Sequence, residues 1–182
     1  PFWNLITCHL KADVVVMDSL APKVIGWVLE DLEPNDVSIS DETYLIAEAE
    51  LENAQVAPAP SGLGFVDQIV GVYDLTDGES ELWGANGTDV FAITPTEDID
   101  VAITFSWADA ATDLDLMVYG PLDGEFNYVA FAATVANPET ATFSEWYLPH
   151  MTAGETYYIA VLGYSGTVGP HDYMIELEWL GL

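Results

Sequence analysis

Positive charge is what this chain has least of. It contains no arginine and two lysines, Lys11 and Lys23, against 31 acidic residues, for a formal net charge of -29. That excludes nucleic acid as a partner, because nothing in the chain could neutralise a phosphate backbone. It also disfavours anionic membrane surfaces. Cysteine is nearly absent: Cys8 stands alone, so no internal disulfide can form. Cys8-His9 lacks the second cysteine of a haem-attachment motif, since Leu5 occupies that place. The three histidines, His9, His150 and His171, lie in no metal-ligand spacing. Gly163-Tyr164-Ser165-Gly166 is not a nucleophile elbow, which needs Gly-x-Ser-x-Gly. No catalytic constellation is visible, and the expectation is that the chain is not an enzyme. No apolar run reaches the roughly 18 residues a membrane span requires. No charged-apolar-small signal pattern stands at the N-terminus, and the sequence starts at Pro1 rather than Met, which predicts a processed, secreted form.

Apolar and aromatic residues are plentiful, at 51% and 12%, so a sizeable core is expected and disorder is not. The stretch Ile99 to Gly120 sets the pattern. Val101, Ile103, Phe105 and Trp107 alternate with Ala102, Thr104 and Ser106, and Leu114, Leu116 and Val118 alternate with Asp113, Asp115 and Met117. A period of two marks strands with one buried face. The acidic turn between them predicts that the two runs pair as a central hairpin.

Further strands are expected at 65–73, 89–93, 128–135, 140–148 and 156–163. A last one carries Tyr173, Ile175, Leu177 and Trp179 on one face. Asp123-Gly124 is a hairpin signal, and Asn137-Pro138 splits two strands. Thr43 to Leu51 is ambiguous and leans to strand. Eight to eleven short strands at regular spacing predict an all-β, antiparallel β-sandwich. Residues 1–30 read as a strand-forming extension, with Val14, Val15 and Val16 in one strand and Val24, Ile25 and Trp27 in another. They are either two strands of the same core or an arm that pairs with a neighbouring subunit.

Five motifs then fall in an informative order: EPND (33–36), DVFAI (89–93), ATDLDLMVYGP (111–121), AGETYYIAVLGYSG (153–166) and HDYMIELEWL (171–180). Together they resemble bacterial and archaeal pre-peptidase C-terminal domains, relatives of the collagen-binding domain of clostridial collagenases. The resemblance covers residues 31–182. It implies a jelly-roll-like sandwich, non-catalytic and extracellular, serving secretion, targeting or matrix binding. It also implies a calcium site between the opening and the loop before the DxF strand. Carried onto this chain, the ligands are Asp31, Glu33, Asn35 and Asp36 with Asn86 and Asp89. The chemistry is consistent, because calcium takes about six to eight oxygens from carboxylates, amides and carbonyls. Asn86-Gly87-Thr88 is also a glycosylation sequon, which would compete with a ligand role for Asn86. Asp109, Asp113 and Asp115 form a second acidic cluster, either another cation site or a solvated strand face. It is not an EF-hand loop, since the required glycine and terminal glutamate are missing.

These readings combine into an expectation. The chain is a calcium-stabilised structural subunit of an extracellular or cell-surface assembly. Residues 1–30 donate strands to a neighbour, and head-to-tail donation builds open filaments. The alternative is a module that binds protein fibres or polysaccharide, with Tyr157, Tyr158 and Tyr164 among the aromatics available for it.

Overall fold

The structure, a computed structural model, describes residues 23–32, 48–75, 88–122, 125–143 and 150–182. Ten strands run through them: β1 (Val24–Glu30), β2 (Gln55–Val56), β3 (Phe65–Leu75), β4 (Asp89–Ile93), β5 (Asp100–Trp107), β6 (Asp113–Leu122), β7 (Glu125–Ala132), β8 (Glu139–Phe143), β9 (Tyr157–Ser165) and β10 (Gly169–Leu180). One layer has the order β1-β3-β10-β5-β8, the other β2-β4-β9-β6-β7. β8 is hydrogen-bonded to both, with Phe105 opposite Glu139 on one side and Ala130 opposite Phe143 on the other. The ten strands are therefore one ribbon folded over into a sandwich. The pairings are antiparallel except at the two ends of the ribbon, where β1 lies parallel to β3 and β2 parallel to β4.

The alternation seen in sequence is realised in β5, where every second residue from Val101 to Trp107 is buried. Those side chains meet Ile175, Leu177 and Trp179 of β10 and Leu114, Leu116 and Val118 of β6 in the main core. Phe105 sits 5.2 Å from the Trp107 ring and 6.1 Å from the Tyr173 ring. Gly163 of β9 faces Leu75 and Tyr73 so closely that a Cβ there would come within 2.7 Å of both side chains. The layers close on each other at that point because the position carries no side chain.

A second, smaller core lies on the opposite side of β4, β6 and β9. Val90, Ala92, Met117, Tyr119, Ala160 and Leu162 are buried there with Ala54, and Leu51 and Tyr158 pack against them. This explains why β4 is buried at every position. Its inner face meets the main core and its outer face is covered from the segment around Leu51.

The central hairpin expected between 99 and 120 does not form. β5 pairs with β10 and β8, whereas β6 pairs with β7 and β9. Residues 108–112 thus arch from one layer to the other. Alternation identifies strands but carries no information about which strand is the neighbour. The segment leaning to strand at 43–51 is corrected at its end, where Glu48–Asn53 is a 3-10 helix. The hairpin expected near Asp123-Gly124 is present, with Leu122 opposite Glu125. No helix among the described residues is long and apolar enough to cross a membrane.

Candidate functional site

Of the six residues assigned to calcium, Asp31 and Asp89 are described; Glu33, Asn35, Asp36 and Asn86, the acceptor of the sequon, lie outside the described residues, as do Val14, Val15 and Val16. Asp31 follows β1, and its amide bonds the Val70 carbonyl of β3 at 2.8 Å. Asp89 opens β4 and is buried. A residue the sequence did not mark links the two regions. The Gln55 side chain accepts from the Leu32 amide at 2.9 Å and donates to the Glu30 carbonyl at 2.8 Å. Its own backbone pairs with Phe91, two residues beyond Asp89. Gln55 thereby ties the acidic opening of one layer to the edge of the other. Among the described residues no three acidic, histidine or cysteine side chains are gathered as a metal cage.

The second acidic cluster divides. Asp109 turns back on its own loop, accepting from the Ala111 amide at 2.9 Å and the Thr112 hydroxyl at 3.3 Å. It also lies 3.7 Å from Nδ1 of His171. Nε2 of His171 is 2.6 Å from the Thr167 carbonyl, so this nitrogen carries the proton in the neutral ring. His171 is therefore engaged as a clasp between the 108–112 arch and the β9–β10 turn. Its Nε2 has no capacity left to act as a base toward Thr112.

Asp113 and Asp115 instead share their environment with Glu139 of β8. The β6–β7 ladder ends with Leu116 opposite Ala132, so Asp115 lies just beyond its last pair, and Thr134 follows two residues after Ala132. Thr134 gives its amide and hydroxyl hydrogens to Oε1 of Glu139. Asp115 and Glu139 are each 3% exposed. Oδ1 of Asp113 and Oε2 of Glu139 are buried without a hydrogen-bond partner. Burial, reinforced by the charges of Asp113 and Glu139, pushes the Asp115 carboxyl up to about 8. Burial raises Asp113 as well. It also raises Glu139, against the hydrogen bonds from Thr134. Glu139 occupies the inward-facing register of β8, two residues before the buried Ala141, and that alternation is the only sign of it in the sequence. Among the described residues no lysine is available to this group. Lys23, the one lysine among the described residues, is 2.9 Å from Glu176 and 3.9 Å from Glu178. Burial raises the Glu176 carboxyl, and the hydrogen bonds from Lys23 and Gln68 outweigh it, leaving a net downward shift.

Val24, Ile25 and Trp27 lie in β1, a strand of this chain's own sheet. Its register breaks between Ile25 and Val28. There the Trp27 amide bonds a side chain, Oδ1 of Asp67, at 3.1 Å. Trp27 Nε1 reaches the Ala59 carbonyl at 3.0 Å. Trp27 and Leu29 pack on the main core, while Val24, Ile25 and Val28 are 55%, 43% and 53% exposed. Of the aromatics, Trp107, Trp179 and Tyr157 are core, Tyr158 is half-buried, and Tyr164 and Phe131 are exposed.

No protein-family model matches this chain, and no curated protein matches it. Among solved structures it is similar to the pre-peptidase C-terminal domain of a collagenase from Bacillus anthracis. The two are 19% identical with a TM-score of 0.42, over 69% of this chain and 93% of that one. The likeness is distant.

Proposed function

We propose that this chain is a non-catalytic, extracellular β-sandwich module that associates with copies of itself through its N-terminal strand-forming segment and is stabilised by calcium at the acidic opening. The observation that carries the reading is β1: an apolar strand at the end of the ribbon, with three exposed aliphatic side chains, in a chain otherwise crowded with acids. Such an edge is a template for strand addition. The calcium component is supported by Gln55, which ties the segment bearing Asp31 to the strand next to β4. The extracellular component rests on the ordered motifs from EPND to HDYMIELEWL.

The test is the particle size of the purified chain by light scattering and electron microscopy, first in calcium and then with a chelator. Assemblies that dissolve on chelation, and that fail to form once residues 1–20 are deleted, bear the reading out. A chain that stays monomeric in calcium overturns the self-association.

Exposed Tyr164 and Phe131, on β9 and β7 of the same layer, favour a second reading, a module that binds protein fibres or polysaccharide. It predicts a monomer retained on insoluble collagen or polysaccharide, with retention lost in Tyr164→Ala.

A further inference from the structure

We infer that Asp113, at the start of β6, and Glu139, at the start of β8, hold a calcium ion beside the strand that is hydrogen-bonded to both layers. This site is separate from the acidic opening and goes beyond the reading above.

Two oxygens mark the place. Oδ1 of Asp113 and Oε2 of Glu139 are buried and accept no hydrogen bond. Glu139 is only 3% exposed, and a carboxylate taken out of water is costly unless something pairs with it. Its other oxygen is in use. Oε1 accepts the amide and hydroxyl hydrogens of Thr134, each at 2.5 Å. Those two bonds fix the carboxyl group against the turn between β7 and β8. They leave Oε2 as an oriented acceptor with nothing to accept.

The two carboxyl groups lie within electrostatic reach of each other. Burial raises Glu139, the bonds from Thr134 lower it, and the Asp113 charge raises it again. Asp115, two residues along β6 and 3% exposed, brings a third carboxyl under the influence of both. The one lysine among the described residues is committed to Glu176 and Glu178. A cation from solution supplies the missing charge.

The chemistry of the donors names the ion. Carboxylate oxygens are hard ligands and suit calcium or magnesium. Among the described residues no three acidic, histidine or cysteine side chains close into a cage. Two carboxylates therefore supply the charge, and water completes a shell of about six to eight oxygens. The donors come from a strand and from a group fixed by a turn, which is an irregular arrangement. Calcium tolerates such placement, whereas magnesium demands a near-ideal octahedron.

The experiment is isothermal titration calorimetry of the full chain with calcium chloride. Sodium chloride at about 0.5 M screens diffuse uptake by surface acids. The double variant Asp31→Asn/Asp89→Asn, which disables the opening, is expected to keep one saturable calcium site. Adding Glu139→Gln to it, or Asp113→Asn, is expected to abolish that site. Glu139→Gln keeps an oxygen for Thr134 and removes one of three mutually repelling acids, so its melting temperature without calcium should not fall. The two substitutions are read separately, and a folding defect in one leaves the other to decide. Calcium binding unchanged by both Glu139→Gln and Asp113→Asn overturns the inference. If the double variant binds no calcium, the opening stands alone and this site falls. If the double variant binds as the wild type does and Glu139→Gln removes all binding, this site stands and the opening falls. Weak, unsaturable uptake common to every variant is counter-ion binding and removes both.

Discussion

The indole of Trp179 donates its Nε1 hydrogen to Oδ2 of Asp67 at 2.6 Å, a buried bond between neighbouring strands β10 and β3. Asp67 also accepts from the Ser61 amide at 2.9 Å and, through Oδ1, from the Trp27 amide at 3.1 Å. One carboxylate thus fastens β10, the 57–64 loop and β1 to β3. Asp67→Ala leaves three donors without an acceptor. At about 1 kcal/mol or more for each unsatisfied group, a loss of roughly 3 kcal/mol or more is expected. Chemical denaturation measures it, and a loss below about 1 kcal/mol would show that water replaces the carboxylate.

Gly26 makes the approach of β1 to Asp67 feasible. A Cβ at this position would stand 2.1 Å from Oγ of Ser61 and 2.2 Å from Oδ1 of Asp67. Gly26→Ala is expected to push β1 outward and cost about 1–3 kcal/mol, as overpacking does. Hydrogen exchange should accelerate in β1 ahead of β5 and β10. Uniform acceleration through all three strands would contradict a local displacement.

The buried carboxylates give stability a pH dependence whose sign follows from their raised values. Asp115 titrates near 8 when folded, against an ordinary 3.8. The folded chain therefore holds protons that the unfolded chain releases. The contribution of Asp115 is full below about 4, declines as pH rises through the interval to about 8, and is gone above it. Melting temperature measured from pH 5 to 9 at constant ionic strength should fall steadily. Asp115→Asn should flatten the curve, since the amide cannot ionise and the repulsion on Glu139 disappears. An equally steep decline in Asp115→Asn would refute the assignment.

Calcium should raise the melting temperature, and a chelator should reverse the rise. Asp89→Asn and Asp31→Asn are expected to reduce this response, whereas Asp109→Asn leaves it intact, because Asp109 serves its own loop and His171. A response undiminished in Asp31→Asn and Asp89→Asn would remove the opening as its site.

Periodicity made β5 and β10 legible, because a strand with one buried face writes that face at every second residue. It located β6 as well, yet misjudged its neighbour, since the arch at 108–112 and a tight hairpin use the same small and acidic residues. β4 shows no alternation because both of its faces are covered, and the cover comes from around Leu51, remote in sequence. Nothing in the sequence singles out Asp67, the third residue of β3. Its role depends on Trp27, Ser61 and Trp179, whose convergence is purely tertiary. The same holds for Gln55. The grouping of Asp113 and Asp115 with Glu139 rather than Asp109 follows from the β6–β7 ladder, which residue spacing along one strand cannot reveal.

The place of β10 between β3 and β5 has a consequence for the order of events in folding. Ile175 must find Ile69, more than 100 residues earlier in the chain, before the β1-β3-β10-β5-β8 layer can close. Loop closure over such a separation comes before the reward of pairing, so high contact order slows folding. During synthesis β3 has only β1 beside it until the residues of β10 have been made, and β5 is not joined to that pair until then. A layer whose middle strand is made after its neighbours stays in two parts until that strand arrives.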